Sequence, residues 1–264
     1  MQLLLLLLPF FLLPRTRAGE IIGGHEAKPH SRPYMAYIEH FYAGGYSICG
    51  GILIHENFVL TAAHCFNRTL EHKKTNVLLG AHNLRIEEKT SQIIHMKQRF
   101  PHPHFIPELS INDLMLLQLD KKAKLTKEVQ ILKLPKGEAK VMPGAVCQVA
   151  GWGMLAPDIF ANTLQEVEVT VVKDEECKSC YPIYNSATEI CAGDPKTPKG
   201  SFLCDSGGPL VCDNVLHGVT TYGHEYREKS GANPHVYTKV SPYLAWIKQV
   251  IKSTHLGEQT KNPV

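Results

Sequence analysis

The sequence predicts an all-β fold in two halves closed by one helix, and three patterns in the 264-residue chain carry that expectation. Short apolar, β-branched segments recur between Gly, Pro, Asn and Asp: Gly51 to Ile54, Phe58 to Leu60, Asn76 to Leu79, Leu114 to Leu119 and Leu164 to Val172. Segments of that length and composition read as antiparallel strands of a sandwich or barrel. The run from Lys121 to Glu128 is dense in charge and poor in apolar residues, the signature of a linker between two β halves. Tyr243, Leu244, Trp246, Ile247, Val250 and Ile251 fall at three-to-four spacing after Ser241-Pro242, which predicts a packing helix docked on the body. No internal repeat and no low-complexity tract competes with this reading.

The ends of the chain read as delivery and tail. Leu3 to Leu13 is an almost pure Leu/Phe run, and small residues at Thr16 and Ala18 mark a cleavage site, so residues 1–18 are expected to be a signal peptide. As a helix the run would rise only ~17 Å against a hydrocarbon core of ~30 Å, too short for an anchor, so no membrane span is expected. Gly19-Glu20 forms a two-residue spacer before Ile21-Ile22-Gly23-Gly24. Thr254 to Val264 is polar and contains Gly257 and Pro263, the composition of a mobile tail.

Charge and cysteine content exclude several classes of function. The formal charge of the whole chain is +3, both signs are interspersed, and no basic block reaches the length of a nucleic-acid-binding patch. Eight cysteines behind a signal peptide belong in an oxidising compartment. A zinc site needs paired short spacings, and Cys177-x-x-Cys180 has no second such pair, so no metal and no cofactor are expected. His102 and His104 flank Pro103 in a loop without ligand spacing and read as surface residues. Asn67-Arg68-Thr69 is the one N-glycosylation sequon, so Asn67 is expected on the surface of a glycoprotein.

Four segments carry chemistry. Thr61-Ala62-Ala63-His64-Cys65 offers an imidazole beside a candidate disulfide anchor, and Asn112-Asp113-Leu114 places one carboxylate at the start of an apolar strand. Cys204-Asp205-Ser206-Gly207-Gly208-Pro209 puts a hydroxyl in a glycine-rich turn, and Ile21 is a candidate new amino terminus. A serine hydroxyl is a poor nucleophile at neutral pH and needs a base within hydrogen-bond reach; an imidazole with a pKa near ~6.5 suits that task. Each fragment alone is weak, because a lone His is usually a satisfied core residue and Ser-Gly-Gly is usually a turn.

Together and in this order, the four segments resemble the chymotrypsin-like serine proteases, in particular the granzyme and mast-cell protease branch, from Ile21 to about Ile251. The resemblance implies two antiparallel β-barrels: residues 21–124 as the first, and residues 125–253 as the second with the terminal helix. It implies a secreted or granule-stored endopeptidase, made as a zymogen, with protein or peptide substrates, and with proteoglycan and protease inhibitors as further partners. His64, Asp113 and Ser206 become base, orienting acid and nucleophile, and the N–H groups of Cys204 and Ser206 form the oxyanion hole. Asp205 is the partner of the amino group freed at Ile21 when residues 19–20 are removed. The implied disulfides are Cys49–Cys65, Cys147–Cys212 and Cys177–Cys191. Phe202 stands where many relatives carry the first cysteine of a bridge beside the pocket, and Cys180 and Cys204 are left unpaired.

Two features bear on rate and preference. The family nearly always has glycine where this chain has Cys204, so a turn that favours torsions a β-carbon resists is occupied by a thiol. Loss of one oxyanion donor costs ~10²–10³ in rate, which makes a weakened relative acting mainly by binding targets the alternative to an efficient enzyme. The specificity pocket falls on Gly200, Ser201, Thr221, Gly223 and His235. No acid stands at the Gly200–Ser201 base, so cleavage after Lys or Arg is not expected. His235 can donate a hydrogen bond or carry charge, which favours an acidic or polar residue before the scissile bond, while burial of the ring favours a large hydrophobic one.

Overall fold

In the computed structural model, residues 24–66, 72–137, 140–156, 159–193, 205–223 and 233–259 are described. The signal peptide, Ile21, Asn67, Gly200, Ser201, Phe202 and Cys204 lie outside the described residues. A first short strand, β1 (His25–Glu26), precedes a closed barrel of six antiparallel strands. These are β2 (Met35–Tyr42), β3 (Gly45–His55), β4 (Phe58–Thr61), β5 (His72–Leu79), β6 (Gln92–Pro101) and β7 (Met115–Leu119). Their order is β2-β3-β4-β7-β6-β5, and the barrel closes where Ala36 to Tyr42 pair with Leu79 to His72.

The second half contributes β8 (Val146–Gly151), a small hairpin of β9 (Met154–Ala156) and β10 (Ile159–Phe160), β11 (Gln165–Val171), β12 (Glu189–Gly193), β13 (Pro209–Cys212), β14 (Val215–Tyr222) and β15 (His235–Lys239). Six of these close into a second antiparallel barrel, β8-β11-β12-β15-β14-β13 and back to β8. The stretch from Lys121 to Glu128, the expected linker, contains no strand.

The alternation that predicts strands is visible where one face meets solvent. In β11, Val167, Val169 and Val171 are buried while Glu168 is exposed. By contrast, all five residues of β7 are buried, as are all four of β4, so these strands read as near-continuous apolar runs, broken only by the buried Gln118 and Thr61. Ile38, Ile52, Leu53, Phe58, Leu60, Leu116 and Leu117 fill the first barrel, and Val149, Val169, Leu210 and Tyr237 the second.

The halves exchange arms. β1 pairs with β11 of the second barrel, His25 opposite Glu166, and Arg32 forms an ion pair with Glu166 at 2.9 Å. The closing helix α2 (Leu244–Gln259) buries Leu244 and Ile247. Just before it, the Tyr243 hydroxyl donates to Asn112 Oδ1 of the first half at 2.7 Å. α2 runs beyond the expected boundary at residue 254: the Thr254 hydroxyl donates to the carbonyls of Val250 and Ile251, and the helix continues to Gln259. His102 also differs from a plain surface residue. Its ring packs edge-on against Tyr243 and Trp246, at 5.0 and 5.1 Å, and burial lowers its pKa.

A second helix, α1 (Asp174–Cys180), has no counterpart in the sequence pattern, because only Cys177 of its seven residues is buried. Local electrostatics and a covalent tie hold it. Asp174, Glu175 and Glu176 occupy the positive first turn, and Cys177 is bridged to Cys191 on β12. Two further disulfides, Cys49–Cys65 and Cys147–Cys212, tie β3 to the turn after β4 and β8 to β13. Cys180 is a free thiol. No described helix is long and apolar enough to cross a membrane.

Candidate active site

Three chain segments meet at the seam between the barrels. His64 sits in a 3-10 turn (Ala63–Cys65) that follows β4, and the Cys49–Cys65 bridge pins that turn to β3. Asp113 lies two residues before β7 and is wholly buried. The preceding Asn112 adopts a left-handed conformation at φ 55°; its carboxamide donates to the His104 carbonyl and accepts from Tyr243. This fixes the approach of the chain to Asp113.

The carboxylate of Asp113 holds His64 at two points. Oδ1 accepts the His64 backbone N–H at 2.8 Å, and Oδ2 lies 2.5 Å from Nδ1. A two-point grip fixes both the position and the plane of the ring, and it leaves Nε2 as the nitrogen available for proton transfer. Burial lowers the His64 pKa, but the hydrogen bond and the charge of Asp113 outweigh it, so the ring titrates above its ordinary 6.5.

Ser206 occupies the turn before β13. Its carbonyl accepts Gly50 N–H of β3 at 2.9 Å and lies 3.8 Å from Cys65 Sγ, so the turn is anchored to the segment that carries His64. Gly207 follows with φ +82°, and a β-carbon there would stand 2.2 Å from Thr61 Oγ1 and 2.5 Å from the Gly50 carbonyl. Only glycine fits that position, which is the physical reason for glycine after the serine. Gly207 N–H then donates to Thr220 on β14 at 2.9 Å.

Asp205 is 1% exposed, with Oδ1 accepting the Gly153 N–H at 2.9 Å. A carboxylate so deeply buried is costly without compensating charge or hydrogen bonds.

Of the predicted pocket residues, His235 and Gly223 are brought together. The His235 ring lies so close to Gly223 that a β-carbon on the glycine would be 2.4 Å from Nδ1. Thr221 is buried, and its hydroxyl lies 2.6 Å from Thr238 Oγ1 and 3.1 Å from the Val219 carbonyl. Behind this wall lie residues that the motifs did not disclose. The Tyr222 hydroxyl lies 3.3 Å from both oxygens of Glu189, and the Tyr181 ring meets Tyr222 edge-on at 5.5 Å. Burial raises the pKa of Glu189 and of Tyr222. Nothing in the local sequence could have flagged Glu189, because its role depends on a residue 33 positions away. No group of three or more His, Cys, Asp or Glu suited to a metal occurs among the described residues.

The trypsin family model matches residues 21–247. The chain belongs to the trypsin family. Within that family it is 54% identical to mouse "Granzyme B(G,H)", over 96% of this chain and 100% of the relative. It is 51% identical to human "Granzyme B", over 96% of this chain and 99% of the relative. It is 47% identical to sheep "Mast cell protease 3", over 95% and 97% respectively. A solved structure titled "Structure of GrC" superposes with a TM-score of 0.80 at 48% identity, covering 88% of this chain and all of that one. As a trypsin-family member of the granzyme and mast-cell protease branch, the chain is a serine endopeptidase, a hydrolase acting on protein substrates.

Proposed function

We propose that this endopeptidase works through an acyl-enzyme made at Ser206, with His64 as general base and acid and Asp113 as the group that orients and charges it. The observation that carries the reading is the two-point hold of Asp113 on His64. In the first step His64 Nε2 takes the Ser206 hydroxyl proton as Oγ bonds to the substrate carbonyl carbon. The proton then passes to the leaving nitrogen, the C–N bond breaks, and an ester remains. Water, deprotonated by the same nitrogen, releases the acid and restores Ser206. The Ser206 N–H, with that of Cys204, is assigned to the oxyanion.

The proposed zymogen is activated by removal of Gly19-Glu20. The ammonium freed at Ile21 would then pair with Asp205, a carboxylate whose burial makes a cationic partner favourable. Granule storage before release is proposed by analogy with the relatives that carry granzyme and mast-cell protease names.

For the residue before the scissile bond, the reading takes an acidic or polar side chain, received by the His235 ring against Gly223. A peptide library cleaved by protein that begins at Ile21, beside Ser206→Ala, tests both parts. Expected are cleavage by the parent, none by the variant, and enrichment of Asp, Glu, Asn or Gln before the cut. Enrichment of Phe, Leu or Met instead would overturn the proposed preference, and cleavage by Ser206→Ala would overturn the nucleophile.

A further inference from the structure

Glu189 is the first residue of β12 and faces Thr238 of β15 in the ladder, with β14 on the far side of β15. It is 5% exposed, and among the described residues it has no ion-pair partner. Its carboxylate is instead filled by neutral donors. The Asn185 N–H donates to Oε2 at 2.7 Å, and the Tyr222 hydroxyl reaches both oxygens at 3.3 Å. Lys239 acts on it only from a distance, and a buried carboxylate without a directly paired cation is expensive, so a position that keeps one depends on those donors being held in place.

The bond to Tyr222 crosses β15 and ends on the last residue of β14, where the chain leaves the sheet as Tyr222-Gly223. A second rail, Asn233-Pro234-His235, runs beside it. Tyr181, just past α1, holds both rails: its ring packs on Tyr222, and its hydroxyl donates to the Pro234 carbonyl at 2.7 Å. Glu189 therefore supplies, among the described residues, the hydrogen-bond anchor of the Tyr222 hydroxyl, while Thr221, tied to Thr238, anchors the residue before it. None of these hydrogen bonds is made to His64, Asp113 or Ser206, although the charge of Asp113 is felt at Glu189 and, beside burial, helps to raise its pKa.

We infer that Glu189 is a positioning residue for substrate, acting through Tyr222 to hold the pocket-wall segment 221–223 in register with the 233–235 rail. The inference rests on the protease reading and deepens it: Glu189 sets how well peptide is held, and Ser206, His64 and Asp113 set how fast it is cut.

The test uses protein starting at Ile21, with Glu189→Gln, Tyr222→Phe and the double variant. Three readouts are compared: KM and kcat on a peptide thioester, the rate of Ser206 labelling by a small fluorophosphonate, and deuterium exchange over residues 219–223. Each single variant should raise KM roughly ten- to hundredfold, the scale of one hydrogen bond to a charged group. kcat and the labelling rate should stay within about twofold, and exchange should quicken by about tenfold over 219–223 alone, the signature of local rather than global opening. The double variant should be no worse than the worse single, because both act through the same bond. Unchanged KM and exchange in Glu189→Gln, or single effects that multiply in the double variant, would overturn the inference. So would a fall in kcat at constant KM. If the parent protein neither cleaves nor labels, the protease reading fails, while the exchange comparison still decides whether Glu189 holds the wall.

Discussion

The two sides of the cleft are held by different kinds of bond. On the first-barrel side, His64 and Asp113 are fixed by covalent and backbone ties: a disulfide at the next residue, a backbone N–H on the carboxylate, and a left-handed Asn112 just before it. On the second-barrel side, the proposed pocket wall is held by side-chain bonds from Glu189 and Thr238 on separate strands and from Tyr181 just past a short helix. The first arrangement resists small perturbations because backbone and covalent ties leave few alternatives. The second depends on side-chain bonds, each of which one substitution can remove, so selectivity should be easier to alter than chemistry.

Breaking the catalytic side should have the largest effect. Asp113→Asn keeps the shape but offers the wrong hydrogen-bond character to His64, and kcat on a peptide thioester should fall by ~10⁴. Gly207→Ala would push a β-carbon to 2.2 Å from Thr61 Oγ1 in a left-handed conformation. Clash and strain together should cost about 2–4 kcal/mol in denaturant unfolding, with loss of Ser206 labelling. Replacing both Cys49 and Cys65 by Ala should cost about 2–4 kcal/mol and lower Tm, while folded protein retains measurable activity.

The pH profile sharpens the comparison. Because Asp113 raises the His64 pKa above 6.5, kcat/KM should rise with pH through an apparent value above 6.5. A profile whose acid limb lies below 6.5 would contradict the pairing. The same shift has a stability consequence. The folded ring binds its proton more tightly than the unfolded one, so the contribution is full below the unfolded pKa and is lost as pH rises through the folded value. The smallest effect is expected at the wall: Gly223→Ala would press on the His235 ring, shifting KM and residue preference several-fold with kcat and Tm little changed.

The catalytic side was legible in the sequence because its determinants are contiguous. Thr61 to Cys65, Asn112 to Leu114 and Asp205 to Gly208 are each short contiguous motifs, although the contacts that hold them, Ser206 to Gly50 and Asn112 to Tyr243, span the fold; the alternating strands announce the barrels. The wall was legible only in outline. Gly223 and His235 were placed by matching motifs, whereas Glu189, Tyr181 and the bond of the Thr221 hydroxyl to Thr238 arise from pairing across β12, β15 and β14, which no local pattern encodes. α1 escaped notice because a single buried residue gives no helical period, and α2 outlasted its apolar stripe because Thr254 bonds back to the preceding turn.

The central claim is that Ser206 is a nucleophile activated by the His64–Asp113 pair. Its most direct test is a radiolabelled fluorophosphonate reacted with protein beginning at Ile21, with the adduct mapped by peptide mass and its rate followed against pH. The account predicts one adduct, on Ser206, forming at a rate that rises with pH through a value above 6.5 and collapses in Asp113→Asn. An adduct elsewhere, or a Ser206 rate indifferent to Asp113→Asn, would contradict it.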